Sequence, residues 1–236
     1  MDWTNVVEKV TPYIIKINTP MGNGTGFIYM YNENKTFCGI ATAWHVIDYA
    51  DEWQQPIRIY QPFSGKSSFL PYDQRVIFPE WTKDSGVILI PYRDLIFPEK
   101  VIPLFPTNIP LGIGVEVGWL GFPAIEPYTL CFFSGKISAR QDFRNAYLID
   151  GVAINGVSGG PVVYPTSTEG VQIVGTVSAY RPSRAGGDVL PGLLIAQDVS
   201  HFHEIINRIK SMDEAARERA ALERAQKSPS QPTSQP

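Results

Sequence analysis

Short runs of β-branched, aromatic and aliphatic residues recur along the chain between clusters of glycine, proline and small polar residues. Residues 13–17, 26–29, 57–60, 87–90, 115–119, 147–149, 161–164, 173–177 and 193–196 each have strand length. Their spacing suits hairpins closing into barrels, so the pattern predicts an all-β fold. The passage 97–110 carries Pro98, Pro103, Pro106 and Pro110 and cannot serve as a central strand, because proline removes a ladder donor. It divides the chain near its middle. Beyond Ser200 the period changes: Phe202, Ile205, Ile206, Ile209 and Met212 recur at helical spacing, and Glu, Arg and Ala then dominate to Gln226. This predicts a terminal amphipathic helix. Residues 228–236 hold only Ser, Pro, Gln and Thr, with nothing to bury, which predicts a disordered tail.

Composition narrows the picture. At 236 residues, one large β unit or two small lobes are allowed, and 44% hydrophobic with 18% charged residues describes a chain with a packed core. Glycine and proline, 20 of each, make up roughly a sixth of the chain, a rate that demands frequent turns. A net charge of −3 and an isoelectric point near 5.6 supply no basic field, so no nucleic-acid partner is expected. Apolar stretches such as 86–91 are far too short to span a bilayer, and the first residues lack the basic start and apolar block of a signal peptide. The expectation is a cytoplasmic chain without a membrane partner. Cys38 and Cys131 lack metal-ligand spacing, and buried thiols are favoured over a disulfide; no metal or other cofactor is expected.

Two glycine-rich stretches can be set aside as phosphate loops. Residues 22–26 are followed by a strand-like run where a helix is required, and Gly65-Lys66-Ser67 has Tyr60 where the motif needs its first glycine.

The segment Ile154-Asn155-Gly156-Val157-Ser158-Gly159-Gly160-Pro161 reads as a sharp turn that exposes a hydroxyl, or else as a loose turn of no chemical consequence. Serine chemistry needs a base. Of three histidines, His201 and His203 fall in or at the start of the predicted helix, and His45 stands alone in Thr42-Ala43-Trp44-His45-Val46. A lone histidine is most often structural, a reading that reverses when an acid and a nucleophile occur in matching contexts. Asp84 immediately precedes the run 85–90, where a carboxylate can either cap a turn or orient an imidazole.

Together these segments resemble the trypsin-like (chymotrypsin-fold) serine peptidases, and look closest to HtrA-type and related bacterial peptidase domains. Gly24-Thr25-Gly26-Phe27-Ile28 is similar to the family's early strand, Thr42 to Val46 to its histidine motif, and Asp84 to Ile88 to its aspartate motif. Gly118 to Pro123 and Gly135 to Ser138 are similar to strands of its second barrel, and Gly156 to Pro161 to its serine motif. The resemblance spans about residues 5–200. It implies two packed six-stranded antiparallel β-barrels, here 1–105 and 106–200, followed by the helix 201–226 and the tail 227–236.

It also implies a serine endopeptidase acting on protein or peptide substrates through an acyl-enzyme. Ser158 would be the nucleophile, His45 the general base and Asp84 the residue that orients it, with Gly156 and Ser158 amides as the oxyanion hole. By the same correspondence Val152, Ala153 and Ile154 form the pocket base, and Val177, Ser178, Ala179 and Tyr180 its wall. None is acidic, so small or medium apolar side chains before the cleaved bond are expected. Residues 180–187 read as a mobile rim loop. Three departures from the family stand out. Val157 replaces the aspartate that holds a cleaved N-terminus, Val46 replaces a disulfide cysteine, and no peptide-binding domain is expected after the barrels. Two other functions fit the same residues: a non-catalytic peptide-binding scaffold, and a peptidase latent until a partner binds. The Ala, Glu and Arg stretch 213–226 of the helix could supply a contact to another protein.

Overall fold

The computed structural model describes residues 2–91, 95–152, 154–166, 170–185 and 188–227, and for 180–185, 188–191 and 227 the backbone alone. The expected tail falls outside them, apart from Lys227. Helix α1 (Trp3–Val10) starts where the Asp2 carboxylate accepts the Thr4 N–H at 2.9 Å, and its Val6 and Val10, one turn apart, are buried. The first sheet follows: β1 (Ile14–Thr19), β2 (Gly22–Tyr31), β3 (Phe37–Thr42), then helix α2 (Trp44–Glu52), β4 (Ile57–Gln61), β5 (Lys66–Leu70), β6 (Val76–Glu80) and β7 (Ser85–Pro91). Its seven antiparallel strands pair in the order β5-β4-β1-β2-β3-β7-β6. The second sheet comprises β8 (Glu116–Gly121), β9 (Cys131–Gln141), β10 (Ala146–Asp150), β11 (Pro161–Thr166), β12 (Gly170–Ala185) and β13 (Asp188–Asp198), closed as β10-β13-β12-β11-β8-β9. Helix α3 (Ser200–Lys227) ends the described chain.

The architecture is therefore the expected all-β one: a closed six-stranded barrel and a curled, seven-stranded half-barrel, with a C-terminal helix. Four strands lie outside the apolar runs. β3 interrupts Phe37 and Ile40 with small residues, β5 is a polar edge, β6 is an edge strand that tolerates Pro79, and β9 mixes exposed and half-buried positions. Along the proline passage no named strand forms. It is pinned to the barrel by Phe105 N–H to the Ile173 carbonyl at 2.8 Å and Ile173 N–H to the Pro103 carbonyl at 2.9 Å.

Alternation along the strands distributes side chains among three cores. Ile15, Ile17, Ile28, Ile40 and Ile88 fill the first sheet, and Val117, Trp119, Ile149 and Val162 fill the barrel. The residues between them in sequence point the other way: Ile14, Phe27, Tyr29, Leu120 and Val163 join α1 and the start of α3 in a third core between the lobes. Phe202 of α3 is fully buried there, 5.9 Å from the Phe27 ring and 5.1 Å from that of Tyr29. Past Asp213 the helix is exposed, tethered by Asp213 accepting the Glu33 N–H and by an Arg217–Glu33 ion pair. Both cysteines are free, and burial pushes the Cys38 thiol up to about 12.

Removing the Phe202 ring leaves a cavity in the core shared by both lobes. Phe202→Ala is expected to cost about 3–5 kcal/mol in urea unfolding. Leu222→Ala, on the exposed half of the same helix, is expected to stay within about 0.5 kcal/mol of the parent.

Candidate active site

The turn carrying Ser158 is held from both sides. Val157 N–H donates to the Ile154 carbonyl, Gly160 N–H to Val157, and Gly159 N–H to Val177 on the barrel strand β12. Asn155 accepts the Ala124 N–H at 2.6 Å. Two positions require glycine. Gly156 has φ +92°, and a Cβ there would collide with the Phe122 carbonyl oxygen; Gly159 has φ +85° and would collide with the Thr25 carbonyl and the Thr42 hydroxyl. With the neighbouring amides committed, those of Gly156 and Ser158 donate to no protein group among the described residues. They are two donors available to an anion beside a hydroxyl.

Asp84 follows a short 3-10 turn (Trp81–Lys83) and sits in the left-handed region at φ 45°, ψ 47°, a conformation aspartate adopts more readily than most side chains. Helix α2 begins after Ala43, whose methyl cannot cap it. Asp84, 39 residues away, caps it instead: its carbonyl accepts the Trp44 N–H at 3.1 Å and its carboxylate accepts the His45 N–H at 2.9 Å. The same carboxylate lies 2.8 and 3.1 Å from His45 Nδ1. An ionised carboxylate only accepts, so Nδ1 carries the proton and the unprotonated nitrogen of neutral His45 is Nε2. The two roles open to Asp84 in the sequence, cap and orienter, are thus filled together.

A third donor reaches Asp84 from the other lobe: the Ser178 hydroxyl, at 2.6 Å. Ser178 occupies a β-bulge, for Val177 pairs with Ala196 and Ala179 with the adjacent Ile195. A bulge re-aims a side chain, and here Val177 stays in the barrel core while Ser178 turns to the carboxylate. The residues flanking Asp84 are held by the start of α3, through Lys83 to the Ser200 hydroxyl at 3.2 Å and Ser85 to His201 at 3.0 Å.

His45 and Ser158 line one cleft of about 230 Å³, together with Asn155, Gly156, Asp48 and the β1–β2 hairpin around Gly22. The Ser158 hydroxyl has no hydrogen-bond partner among the described residues. The hydrogen bond to Asp84 raises the His45 pKa above its ordinary value, burial opposes it, and the charges of Asp84 and Asp48 add to the rise. Thr25 on β2, fully buried, binds the serine turn to the first lobe. Its N–H donates to the Ser158 carbonyl and its hydroxyl to that of Gly156, both at 2.8 Å, and the hydroxyl accepts the Phe122 N–H at 3.1 Å.

The expected pocket residues stand in different settings. Val152 and Ala179 are exposed, Ile154 packs partly against the barrel core, Val177 is inside that core, and Ser178 is engaged by Asp84. Ala153 and the Tyr180 side chain lie outside the described residues. In place of the expected rim loop, backbone 180–185 continues β12 in a long hairpin with β13, and residues 186–187 are outside the described set. The importance of Thr25 and the engagement of Ser178 were not visible in sequence, since small hydroxyl residues in strands carry no pattern of their own. Among the described residues, no three His, Cys, Asp or Glu side chains gather as a metal site, and no helix is long and apolar enough to cross a membrane.

No family model matches the chain, and neither does any curated protein. Solved structures do. A serine endoprotease from Yersinia pestis superposes with a TM-score of 0.65 at 21% identity, over 89% of this chain and 67% of that one. Rv3671c from M. tuberculosis, in the inactive form of a serine-to-alanine mutant, gives 0.57 at 16% identity, over 87% and 90%. The shared property is the fold, that of the trypsin-like serine peptidases.

The electrostatics of the pair can be checked directly. In an NMR titration, His45 is expected to lose its proton above the ordinary value of about 6.5. Asp84→Asn is expected to lower that midpoint, because the group that favours the imidazolium is neutralised.

Proposed function

We propose that the protein is a serine endopeptidase. The observation that carries this reading is the Asp84 carboxylate, which fixes the His45 ring through Nδ1, leaves Nε2 as the base, and does so in a cleft shared with Ser158. In the proposed cycle His45 Nε2 takes the proton of the Ser158 hydroxyl as its oxygen adds to the substrate carbonyl. The amides of Gly156 and Ser158 stabilise the resulting oxyanion. His45 then gives the proton to the departing amine, and water hydrolyses the acyl-enzyme by the same route in reverse. Val152, Ile154 and Ala179 bring no carboxylate to the acyl side, which supports small or medium apolar residues before the cleaved bond. Equal or faster turnover of an arginyl peptide would overturn that preference.

One observation favours a second reading, a latent peptidase completed by a partner: the Ser158 hydroxyl is not yet bonded to His45. Catalytic hydrogen bonds in free enzymes are often open and close with substrate, so this reading is separated by activity measured with and without added partner proteins.

Peptide hydrolysis tests the main reading. Ser158→Ala is expected to lower kcat by on the order of 10⁶, and Asp84→Asn by on the order of 10⁴. Because neutral His45 is the active form and its pKa is raised, kcat/KM is expected to climb with pH through a midpoint above about 6.5. Asp48→Asn, which removes one charge favouring the imidazolium, is expected to move that midpoint down. A wild-type protein that is folded and hydrolyses no peptide at any pH, with or without partners, would contradict the proposal.

A further inference from the structure

A second cavity of about 550 Å³ opens beside the first. Thr19 and Asn23, from the β1–β2 hairpin, line both, so the two adjoin as a groove along that hairpin. Its far part contains two cations, Lys16 on β1 and Arg58 on β4. The register explains their meeting. Lys16 pairs with Tyr60 and Asn18 with Arg58, which puts Lys16, Asn18 and Arg58 on one face of the sheet. The neighbouring Ile15, Ile17, Ile57 and Ile59 point into the core. That outer face is roofed by the loop from the second lobe that carries Pro127 and Tyr128.

Lys16 is only 7% exposed, yet among the described residues no carboxylate pairs with it. Its ammonium donates to the Pro127 carbonyl and sits 4.6 Å from the Tyr128 ring centre and 5.9 Å from that of Phe122. Arg58 is exposed, and among the described residues neither cation forms an ion pair. Glu126, beside Pro127 in the chain, is exposed and unpaired with Lys16. A covered cation with only a carbonyl and aromatic faces for company is costly unless an anion arrives to complete it. Burial lowers the Lys16 pKa, in keeping with a missing counter-charge.

On the peptidase reading His45 protonates the departing amine, which assigns the His45 side of the cleft to the leaving group. The β1–β2 hairpin borders the cleft on that side and lines the second cavity as well. Described residues expected on the acyl side, Val152, Ile154, Val177, Ser178 and Ala179, line neither cavity. Asp48 lines the cleft at His45, so an acid next to the cleaved bond is repelled and one farther along is welcome.

We propose that Lys16 and Arg58 are specificity-determining residues that bind a carboxylate of the substrate chain beyond the scissile bond, on the leaving-group side. The proposal rests on the peptidase reading of the cleft. That carboxylate can come from an Asp or Glu side chain or from the substrate's own C-terminus.

Three matched peptides tell these apart: one with glutamate at scanned positions after the cleaved bond and an amidated end, one with glutamine there, and one neutral chain ending there in a free carboxylate. At low salt the wild-type kcat/KM is expected to favour an acidic peptide over the glutamine peptide by about tenfold, equivalent to about 1.4 kcal/mol. The preference is expected to shrink with added salt. The glutamate or the free-acid peptide, whichever leads, identifies the source. Lys16→Met and Arg58→Gln are each expected to pull the acidic-to-neutral ratio toward one. Arg58 is exposed, so its variant reads the groove even where Lys16→Met fails to fold. A wild-type ratio near one, or a preference that survives both substitutions, overturns the proposal while leaving the peptidase reading in place. If no peptide is cut, affinity of the same peptides for Ser158→Ala, read by fluorescence anisotropy, decides the groove separately. Acid-dependent binding lost in Arg58→Gln upholds it without the peptidase reading; binding indifferent to the acid, or none, ends it.

Discussion

The candidate site depends on one buried threonine. Thr25 belongs to the first sheet, yet its backbone and hydroxyl bind the carbonyls of Ser158 and Gly156 and the amide of Phe122, all in the second lobe. Its own carbonyl accepts the Thr42 hydroxyl, two residues before the start of α2. Each such bond contributes about 0.5–1.5 kcal/mol net, but an unmade partner in this dry seam costs more than a made bond returns. Valine has nearly the same shape and would leave the Gly156 carbonyl and Phe122 amide unpaired. The lobes therefore dock in one arrangement, and that arrangement brings the serine turn to the strand leading to His45.

Asp84 makes the second connection. It ends a 3-10 turn, caps a helix that has no cap of its own, aligns an imidazole and takes the Ser178 hydroxyl from the opposite lobe. Because its two neighbours are held by the first turn of α3, the C-terminal helix also supports the carboxylate. The buried aromatic cluster of Phe27, Tyr29 and Phe202 anchors that turn. Support for the site thus reaches from residue 25 to residue 202, across both sheets.

Much of this was legible in the amino-acid pattern. Apolar runs located most of the strands, the prolines at 98–110 marked a stretch without named strands, and helical spacing located α3. His45, Asp84 and Ser158 stood out because each sits in a context of glycine, small residues or a strand start. Other features lack a local signal. β5 and β6 are edges, where polarity and proline are tolerated, and α2 owes its start to a carboxylate distant in sequence. The Ser178 bulge depends on pairing with β13, which no window of sequence contains. The lobes also share a turn that is invisible as a repeat: Asn145, like Asp84, follows a 3-10 turn in the left-handed region and opens a strand. Geometry is shared there while the residues differ, and only the first copy carries an acid at the left-handed position.

The groove beyond the cleft extends the same logic to recognition, since the hairpin that borders His45 also leads to two cations that form no ion pair among the described residues. The most direct test of the central claim is the position of the adduct formed when the native protein meets a fluorophosphonate, read by mass spectrometry of its peptides. A single adduct on Ser158 is expected, formed faster as His45 loses its proton. An adduct on another residue, or a folded protein that forms none, would contradict it.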